Sequence, residues 1–359
     1  MATPENRVRV LVADDSALMR RTLTQLIQSD PGLEVVGTAR DGEDVVIKAR
    51  EIRPDVISMD INMPKLDGIS ALQLIVHEQI CPVVMMSSLT QHGAQTTFEA
   101  LELGAFDFVP KPDGTVSADL SSVAADLRRK LKAAASSSSS RRTQRRPERV
   151  QRKPSPPAVA PERPEVRGPT SGMKAVVIGI STGGPATIVH VLPKLAADVP
   201  AAIFLVQHMP GSFTGAFARR LDETCAVKVE EATAGTEVRA GHCYVGRGDY
   251  QLTVYRSGPG HVVLRTPTKP DTLFKPSVNV TMESVRSAFG KNTIGVLMTG
   301  IGDDGADEMV KIKASGGYTI AESAESAVVY GMPREAIERG GAHAVCPAWD
   351  IAEAIVSHL

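Results

Sequence analysis

Strand-like apolar segments alternate with helix-like segments in two blocks of this chain, one before residue 133 and one after residue 171. In the first block, five apolar runs each precede a segment with helical periodicity, and they begin near Val8, Glu34, Val56, Val83 and Phe106. Alternation of this kind predicts parallel strands joined by helical crossovers that cover the sheet. We therefore predict an α/β fold whose first domain is a (βα)5 doubly wound parallel sheet.

The segment between the two blocks has a different composition. Alanines and serines lead into clustered arginines, and seven prolines follow between Pro147 and Pro169. A segment without an apolar period cannot bury enough surface to offset the entropy of ordering, which predicts a flexible linker. The sequence thus predicts a first domain over residues 1–132, a disordered linker over 133–170 and a second domain over 171–359.

The formal net charge of −1 is unevenly distributed. Residues 1–135 carry 14 basic and 19 acidic side chains, residues 136–170 carry 9 and 3, and residues 171–359 carry 17 and 19. Neither folded part has the basic excess typical of nucleic-acid binding, so we expect no nucleic-acid partner. The linker arginines could contact nucleic acid or an acidic patch, but a solvated tether is favoured.

Cysteine spacing and the distribution of apolar residues indicate the compartment and the kinds of site to expect. The four cysteines form no Cys-x-x-Cys pair, which argues against a disulfide framework or a zinc site. No run approaches the ~18 consecutive apolar residues of a membrane helix, and the amino terminus has no apolar signal core. We expect a cytoplasmic, monomeric protein without membrane insertion.

Polar residues follow the predicted strands of the first block. Asp14 and Asp15 follow the first strand, Asp60 ends the third, Ser87 ends the fourth and Lys111 follows the fifth. The carboxyl ends of parallel strands share one edge, where three carboxylates favour Mg²⁺. A carboxylate beside that metal can accept a phosphoryl group, whose oxygens the lysine and the hydroxyl would bind. The alternative is that the aspartates are helix N-caps.

These residues resemble those of response-regulator receiver domains, and the resemblance covers residues 7–132. It implies phosphorylation of Asp60 by a histidine kinase, a switch role for Ser87 and Lys111, and Mg²⁺ as cofactor. The implied metal ligands are Asp14, Asp15, Asp60 and the backbone carbonyl of Asn62.

The second block opens with a β-branched run that ends in a glycine-flanked serine. The spacing Gly179-x-Ser181-x-Gly183 with Pro185 predicts a strand, a tight turn and a helix, as at a nucleophile elbow. The unpaired amides and dipole at the start of that helix suit an anionic intermediate. An ordinary glycine-rich turn is the alternative. A dinucleotide fingerprint fits less well, because Ser181 stands where a close-approach glycine is needed.

Two further strands of the second block stop at polar residues. His208 follows the apolar run 202–207, and Asp303 and Asp304 follow the run 293–298. If these strands are parallel, Ser181, His208 and one aspartate meet, as nucleophile, base and the group that orients the base. The residue order of α/β-hydrolases would instead select Ser181, Asp304 and His343. We favour His208, which directly ends a hydrophobic strand. Residues 227–265 predict a small β insert, and residues 186–195 a helix.

Four motifs of this block together resemble the chemotaxis protein-glutamate methylesterase (CheB) family, and they lie at residues 178–184, 207–210, 299–306 and 331–336. The resemblance implies Ser181 as nucleophile, His208 as base and Asp304 as acid, with the backbone amides of Thr182 and Gly183 binding the oxyanion. It implies a phosphorylation-activated serine esterase without a metal in the esterase site.

The substrates implied by the resemblance are glutamate methyl esters on methyl-accepting chemoreceptors, with deamidation of receptor glutamines in some members, and the implied phosphodonor is a chemotaxis histidine kinase. In the family, the unphosphorylated receiver covers the esterase cleft. The sequence departs from the family at Ile180, where alanine is usual, and at Ile301, where methionine is usual. A DNA-binding output is the rival, but it would require a basic second domain.

Overall fold

The computed structural model describes residues 7–88, 90–111, 117–143, 172–258 and 260–359. The chain divides near residue 151 into two compact units, each of which has its own parallel sheet. Among the described helices, none combines the length and apolar composition that a membrane crossing requires.

The first unit is a five-stranded sheet with the strand order β2-β1-β3-β4-β5, and every neighbouring pair is parallel. This arrangement confirms the predicted doubly wound sheet. Its elements are β1 (Val8–Ala13), α1 (Ala17–Gln28), β2 (Leu33–Ala39), α2 (Gly42–Ile52), β3 (Val56–Asp60), α3 (Gly68–His77), β4 (Val83–Ser87), α4 (Gln91–Glu102), β5 (Asp107–Pro110) and α5 (Ser117–Thr143).

Helix α5 continues to Thr143, well past residue 132, where the linker was predicted to begin. Ala134 is fully buried, and alanine is the strongest helix former. Ser136 and Ser137 return hydrogen bonds to carbonyls of their own helix, over 2.9 and 2.8 Å. The prediction of a flexible segment is therefore wrong for residues 133–143. The rest of the predicted linker, residues 144–170, lies outside the described residues.

The second unit is a seven-stranded parallel sheet with the order β14-β13-β12-β6-β7-β9-β8, accompanied by a separate antiparallel hairpin of β10 and β11. Its elements are β6 (Lys174–Ile180), α6 (Gly184–Thr187), β7 (Ala201–Gln207), α7 (Gly211–Thr224), β8 (Lys228–Glu231), β9 (His242–Val245), β10 (Thr253–Gly258), β11 (His261–Arg265), α8 (Val278–Phe289), β12 (Thr293–Leu297), α9 (Ala306–Ala314), β13 (Tyr318–Glu322), α10 (Met332–Glu338), β14 (Ala344–Cys346) and α11 (Ala348–Val356).

Two local predictions for the second unit need correction. The predicted helix over 186–195 is shorter in the structure: α6 stops at Thr187. Two 3₁₀ turns follow, and the second of them contains Pro193. Pro193 has no amide hydrogen, so an α-helix could not have continued with full hydrogen bonding through that position. The predicted β insert is only partly separate. Its buried strand β9 pairs with β7, and β8 pairs with β9, so both strands belong to the main sheet. Only the β10–β11 hairpin is separate from that sheet.

The core of the second unit brings β6, β12 and α8 into close contact. Residues 175–180 of β6 are all buried. Gly179 makes room for α8, since a Cβ atom there would lie 2.4 Å from Cγ1 of Val278. Gly305, which precedes α9, has φ of +101°, and a Cβ atom there would lie 2.6 Å from the same methyl group. The backbone at both positions therefore packs directly against the start of α8.

We expect Gly305→Ala to destabilise the second unit more than Gly340→Ala does. Both glycines have positive φ, so each alanine adds roughly 1–2 kcal/mol of backbone strain. Gly340 has no heavy atom within 4 Å of a built Cβ, whereas Gly305 meets Val278 and Leu297. Overpacking adds about 1–3 kcal/mol at Gly305 alone. Urea unfolding followed by the fluorescence of the single tryptophan, Trp349, measures the difference, and equal losses would contradict this account.

Candidate active site and acid cluster

Ser181 lies in a tight turn between β6 and α6 at the carboxyl edge of the large sheet. Its amide donates to the carbonyl of Thr299 over 2.9 Å, and its own carbonyl accepts from the amide of Gly184 over 2.8 Å. Gly183 has φ of +78° at the N-cap of α6. Among the residues that the structure describes, none accepts a hydrogen bond from the amides of Thr182 or Gly183. Unpaired amides at the start of a helix can donate hydrogen bonds to an anion.

The register of β6 against β7 sets Ser181 beside His208. Ile180 pairs with Gln207, so the next residue of each strand faces the other across a strand spacing of about 4.8 Å. The amide of His208 continues the ladder by donating to the carbonyl of Ile180 over 3.1 Å. The two residues are therefore brought together by backbone pairing, as the sequence analysis expected for parallel strands.

The side chain of Gln207 connects the backbone at Ser181 to the backbone at His208, a role that the sequence analysis missed. Its Nε2 donates to the carbonyl of Ser181 over 3.0 Å and to that of His208 over 3.1 Å. Gly184 allows this position, because a Cβ atom there would lie 2.2 Å from Oε1 of Gln207. A polar residue at the end of an otherwise apolar strand was the available signal.

Asp304 lies between β12 and α9, and its carboxylate holds the imidazole of His208 while it contacts the start of α8. Its Oδ2 accepts from Nε2 of His208 over 2.9 Å and from the amide of Val278 over 2.8 Å. Its Oδ1 accepts from the hydroxyl of Ser277 and the amide of Asn279, each over 2.9 Å. Burial opposes ionisation of this carboxyl, but the hydrogen bonds from His208 and the two amides outweigh it and lower the pKa of Asp304. The carboxylate is therefore charged near neutral pH.

This contact determines which ring nitrogen is available as a base. A carboxylate acceptor on Nε2 requires the proton at Nε2, which leaves the lone pair on Nδ1. Nδ1 is buried, and no described residue hydrogen-bonds to it, Ser181 included. Proton transfer from Ser181 to Nδ1 would require the serine hydroxyl to turn towards this nitrogen, and catalytic hydrogen bonds commonly tighten when substrate binds.

The two alternatives from the sequence occupy other positions. His343 precedes β14 and packs on Tyr318, the first residue of β13, with 4.9 Å between ring centroids. Its Nδ1 also pairs with the hydroxyl of Thr319 over 2.8 Å. It therefore lies at the amino-terminal edge of the sheet, opposite Ser181. The carboxylate of Asp303 is exposed and accepts from Arg339 over 2.6 Å, whereas Asp304 points to His208.

A buried carboxyl supports the turn of Ser181 from behind, and the sequence analysis missed it as well. Oε2 of Glu322 accepts from the amide of Thr299 over 2.7 Å, and the hydroxyl of Thr299 donates to the carbonyl of Thr182 over 2.8 Å. The hydroxyl of Ser326 donates to Oε1 of Glu322 over 2.7 Å. Burial raises the pKa of Glu322 despite these hydrogen bonds. Its position at the end of a hydrophobic strand was the overlooked signal.

The first unit gathers the predicted carboxylates at the edge of its own sheet. Asp14, Asp15 and Asp60 each offer an oxygen within 4.8 Å of the others. Lys111 Nζ lies 2.9 Å from Oδ2 of Asp14 and 2.8 Å from Oδ2 of Asp60. Burial raises the pKa of Asp60, while Lys111 opposes that shift. An acidic, all-oxygen set of this kind suits Mg²⁺, so the residues present fit the cofactor that the sequence predicts.

Ser87 and Asn62 lie near the same edge. Ser87 ends β4, where the preceding residue, Met86, pairs with Asp60. Its hydroxyl accepts from Thr97 over 2.6 Å and lies 3.3 Å from the carbonyl of Gly93, so it is engaged with α4. Asn62 is exposed and follows β3 by two residues.

We expect Asp304→Asn to lower the labelling rate of Ser181 by a serine-reactive fluorophosphonate probe by roughly 10²–10⁴-fold. The amide cannot stabilise an imidazolium, and it places N–H groups against the donors of α8. Asp303→Asn is the matched control, because the neighbouring carboxylate is 61% exposed and pairs only with Arg339 among the described residues. Similar rates for both variants would show that Asp304 does not act on His208.

The comparisons with known proteins cover both units. Residues 176–355 match the model of the CheB methylesterase family, and residues 10–117 match that of the response regulator receiver domain. A protein-glutamate methylesterase/protein-glutamine glutaminase of Syntrophomonas wolfei subsp. wolfei is 58% identical over 353 residues, which cover 97% of this chain and 98% of that protein. A protein of the same name from Caldanaerobacter subterraneus subsp. tengcongensis is 49% identical over 99% of this chain and 97% of its own.

A solved structure agrees with the second unit. The CheB methylesterase catalytic domain of Thermotoga maritima is 39% identical, with a TM-score of 0.51, over 52% of this chain and 99% of that domain. The chain therefore belongs to the CheB methylesterase family and carries a response regulator receiver domain ahead of its catalytic part.

Proposed function

We propose that this chain hydrolyses glutamate methyl esters on methyl-accepting chemoreceptors to glutamate and methanol, and deamidates receptor glutamines, with Ser181 as nucleophile, His208 as base and Asp304 as the acid that orients it. The observation that supports this most strongly is the 2.9 Å hydrogen bond from Nε2 of His208 to the partly buried carboxylate of Asp304. His208 follows β7, the neighbour of the strand β6 that precedes Ser181. The names of the relatives supply the substrate class.

Proton transfer through His208 drives both halves of the reaction. Nδ1 takes the proton of Ser181 as Oγ attacks the γ-carbonyl of the modified glutamyl side chain, and Asp304 stabilises the imidazolium. The amides of Thr182 and Gly183 bind the oxyanion, each contributing about 3–4 kcal/mol. The imidazolium then protonates the leaving methanol, or ammonia when the substrate is glutamine. Water attacks the acyl group by the same route and releases glutamate.

We propose that the first unit controls this activity through phosphorylation of Asp60 by a chemotaxis histidine kinase. Asp14, Asp15, Asp60 and the carbonyl of Asn62 would hold Mg²⁺, which supplies charge neutralisation at the phosphoryl oxygens when bound. Lys111 already contacts Asp60 over 2.8 Å and would bind the new phosphoryl group. Ser87 would turn its hydroxyl away from Gly93 to bind the same group. The esterase site itself needs no metal.

The remaining assignments concern setting and partners. The chemoreceptors are the substrate, the kinase is the phosphodonor, and the protein acts as a cytoplasmic monomer without a nucleic-acid partner. The near balance of charge in residues 171–359, with 17 basic and 19 acidic side chains, supports a catalytic output in preference to a DNA-binding one.

We expect Ser181→Ala to reduce methanol release from methylated receptor membranes by roughly 10³-fold or more, because the nucleophile is lost. Ser323→Ala is the matched control: this serine follows β13 of the same sheet, and its buried hydroxyl has no partner among the described residues. Gas chromatography of released methanol gives the rates. Equal activity of wild type and Ser181→Ala, or no release by wild type, would refute the proposed function.

We expect Asp60→Asn to abolish stimulation of methanol release by a small-molecule phosphodonor while leaving the basal rate, because the amide cannot accept a phosphoryl group. Removal of Mg²⁺ with EDTA should have the same effect on wild type. Asp67→Asn is the control, since asparagine also caps a helix well at this N-cap of α3. Stimulation that persists in Asp60→Asn would assign control to another residue.

A further inference from the structure

An exposed leucine immediately precedes the residue whose ring stacks on the imidazole of His208, and nothing in the reaction described above uses it. Leu273 is 89% exposed, in the segment between the β10–β11 hairpin and α8. We propose that Leu273 contacts an apolar side chain of the receptor polypeptide beside the glutamyl group under attack. The inference rests on the proposed function and adds the surface by which a protein substrate is selected.

Phe274 connects this leucine to the reaction centre. The ring of Phe274 stacks on the imidazole of His208, with centroids 3.9 Å apart and planes inclined by 11°. Consecutive Cα atoms are about 3.8 Å apart, so Leu273 is one residue away from a side chain that covers one face of the base. The exposed leucine therefore belongs to the rim of the active site.

The segment that carries Leu273 is held in place by a buried amide. Nε2 of Gln251 donates to the carbonyl of Pro270 over 3.0 Å and to the hydroxyl of Thr272 over 2.7 Å, and its Oε1 accepts from the amide of Ser277 over 2.9 Å. The hydroxyl of Thr272 in turn donates to the carbonyl of Phe274. These bonds tie the segment on both sides of Leu273, which is thus presented to solvent in an ordered conformation that costs little entropy on binding.

The occupant of this surface follows from the chemistry of the substrate. A glutamyl side chain is short, so the polypeptide that carries it must cross the rim of the site when its γ-carbonyl reaches Ser181. A large apolar side chain exposed at that rim gains favourable free energy only when something apolar covers it. A small serine-reactive molecule has no such group, so it reaches Ser181 without using Leu273.

The test compares a protein substrate with a small probe. We expect Leu273→Ala to raise the KM for methanol release from methylated receptor membranes by about ten-fold, the size expected for losing most of one buried aliphatic side chain. The ratio of receptor kcat/KM to the fluorophosphonate labelling rate of Ser181 should fall by a similar factor. Leu273→Met, which keeps the apolar volume, should restore most of that ratio.

Val356→Ala is the matched control, because Val356 is also an exposed aliphatic residue of the second unit. It lies near the amino-terminal edge of the sheet, where Lys174 at the start of β6 donates to the carbonyl of His358. An unchanged ratio in Leu273→Ala, or an equal fall in Val356→Ala, would overturn the inference. So would a wild-type dimer in sedimentation that Leu273→Ala dissociates, since Leu273 would then serve a second copy. Failure of the proposed function differs from both, because wild type itself would release no methanol.

Discussion

The hydrogen bonds of the Asp304 carboxylate are the interactions on which the arrangement of the second unit's candidate site depends. It accepts hydrogen bonds from His208, from the hydroxyl of Ser277 and from the amides of Val278 and Asn279. A buried charge is costly unless it is paired and fully hydrogen-bonded, and the start of α8 supplies both amides and a favourable dipole. The same carboxylate thereby joins the start of α8 to the ends of β7 and β12. The packing of these three elements therefore fixes the position of the imidazole.

Both units place their reactive groups at the carboxyl ends of parallel strands, but the electrostatics of the two edges differ. Three carboxylates and Lys111 converge in the first unit, which suits a metal and a phosphoryl group. In the second unit a serine and a histidine follow neighbouring strands, and one carboxylate accepts a hydrogen bond from the imidazole, which suits acyl transfer. One architectural rule, that strand ends share an edge, thus serves two unrelated chemistries.

Local sequence patterns predicted where the strands of both sheets end, because those positions depend on local periodicity. The strand ends of both sheets were identified, because apolar runs followed by polar residues are visible in the chain. The pairing of β9 with β7 was missed, since pairing partners are set by contacts distant in sequence. The contacts of Gln207, Glu322 and Phe274 were missed for the same reason. The extension of α5 depends on the burial of Ala134, which composition alone did not reveal.

Glu322 makes the support of the Ser181 turn dependent on pH. Because its pKa is higher in the folded chain than its ordinary value, folding is linked to proton uptake at this position. The resulting stabilisation is complete below the unfolded pKa of about 4.3 and is lost as the pH rises through the folded value. Above the folded pKa, Glu322 is an anion in surroundings that disfavour charge. The packing around the Ser181 turn must then offset that unfavourable free energy.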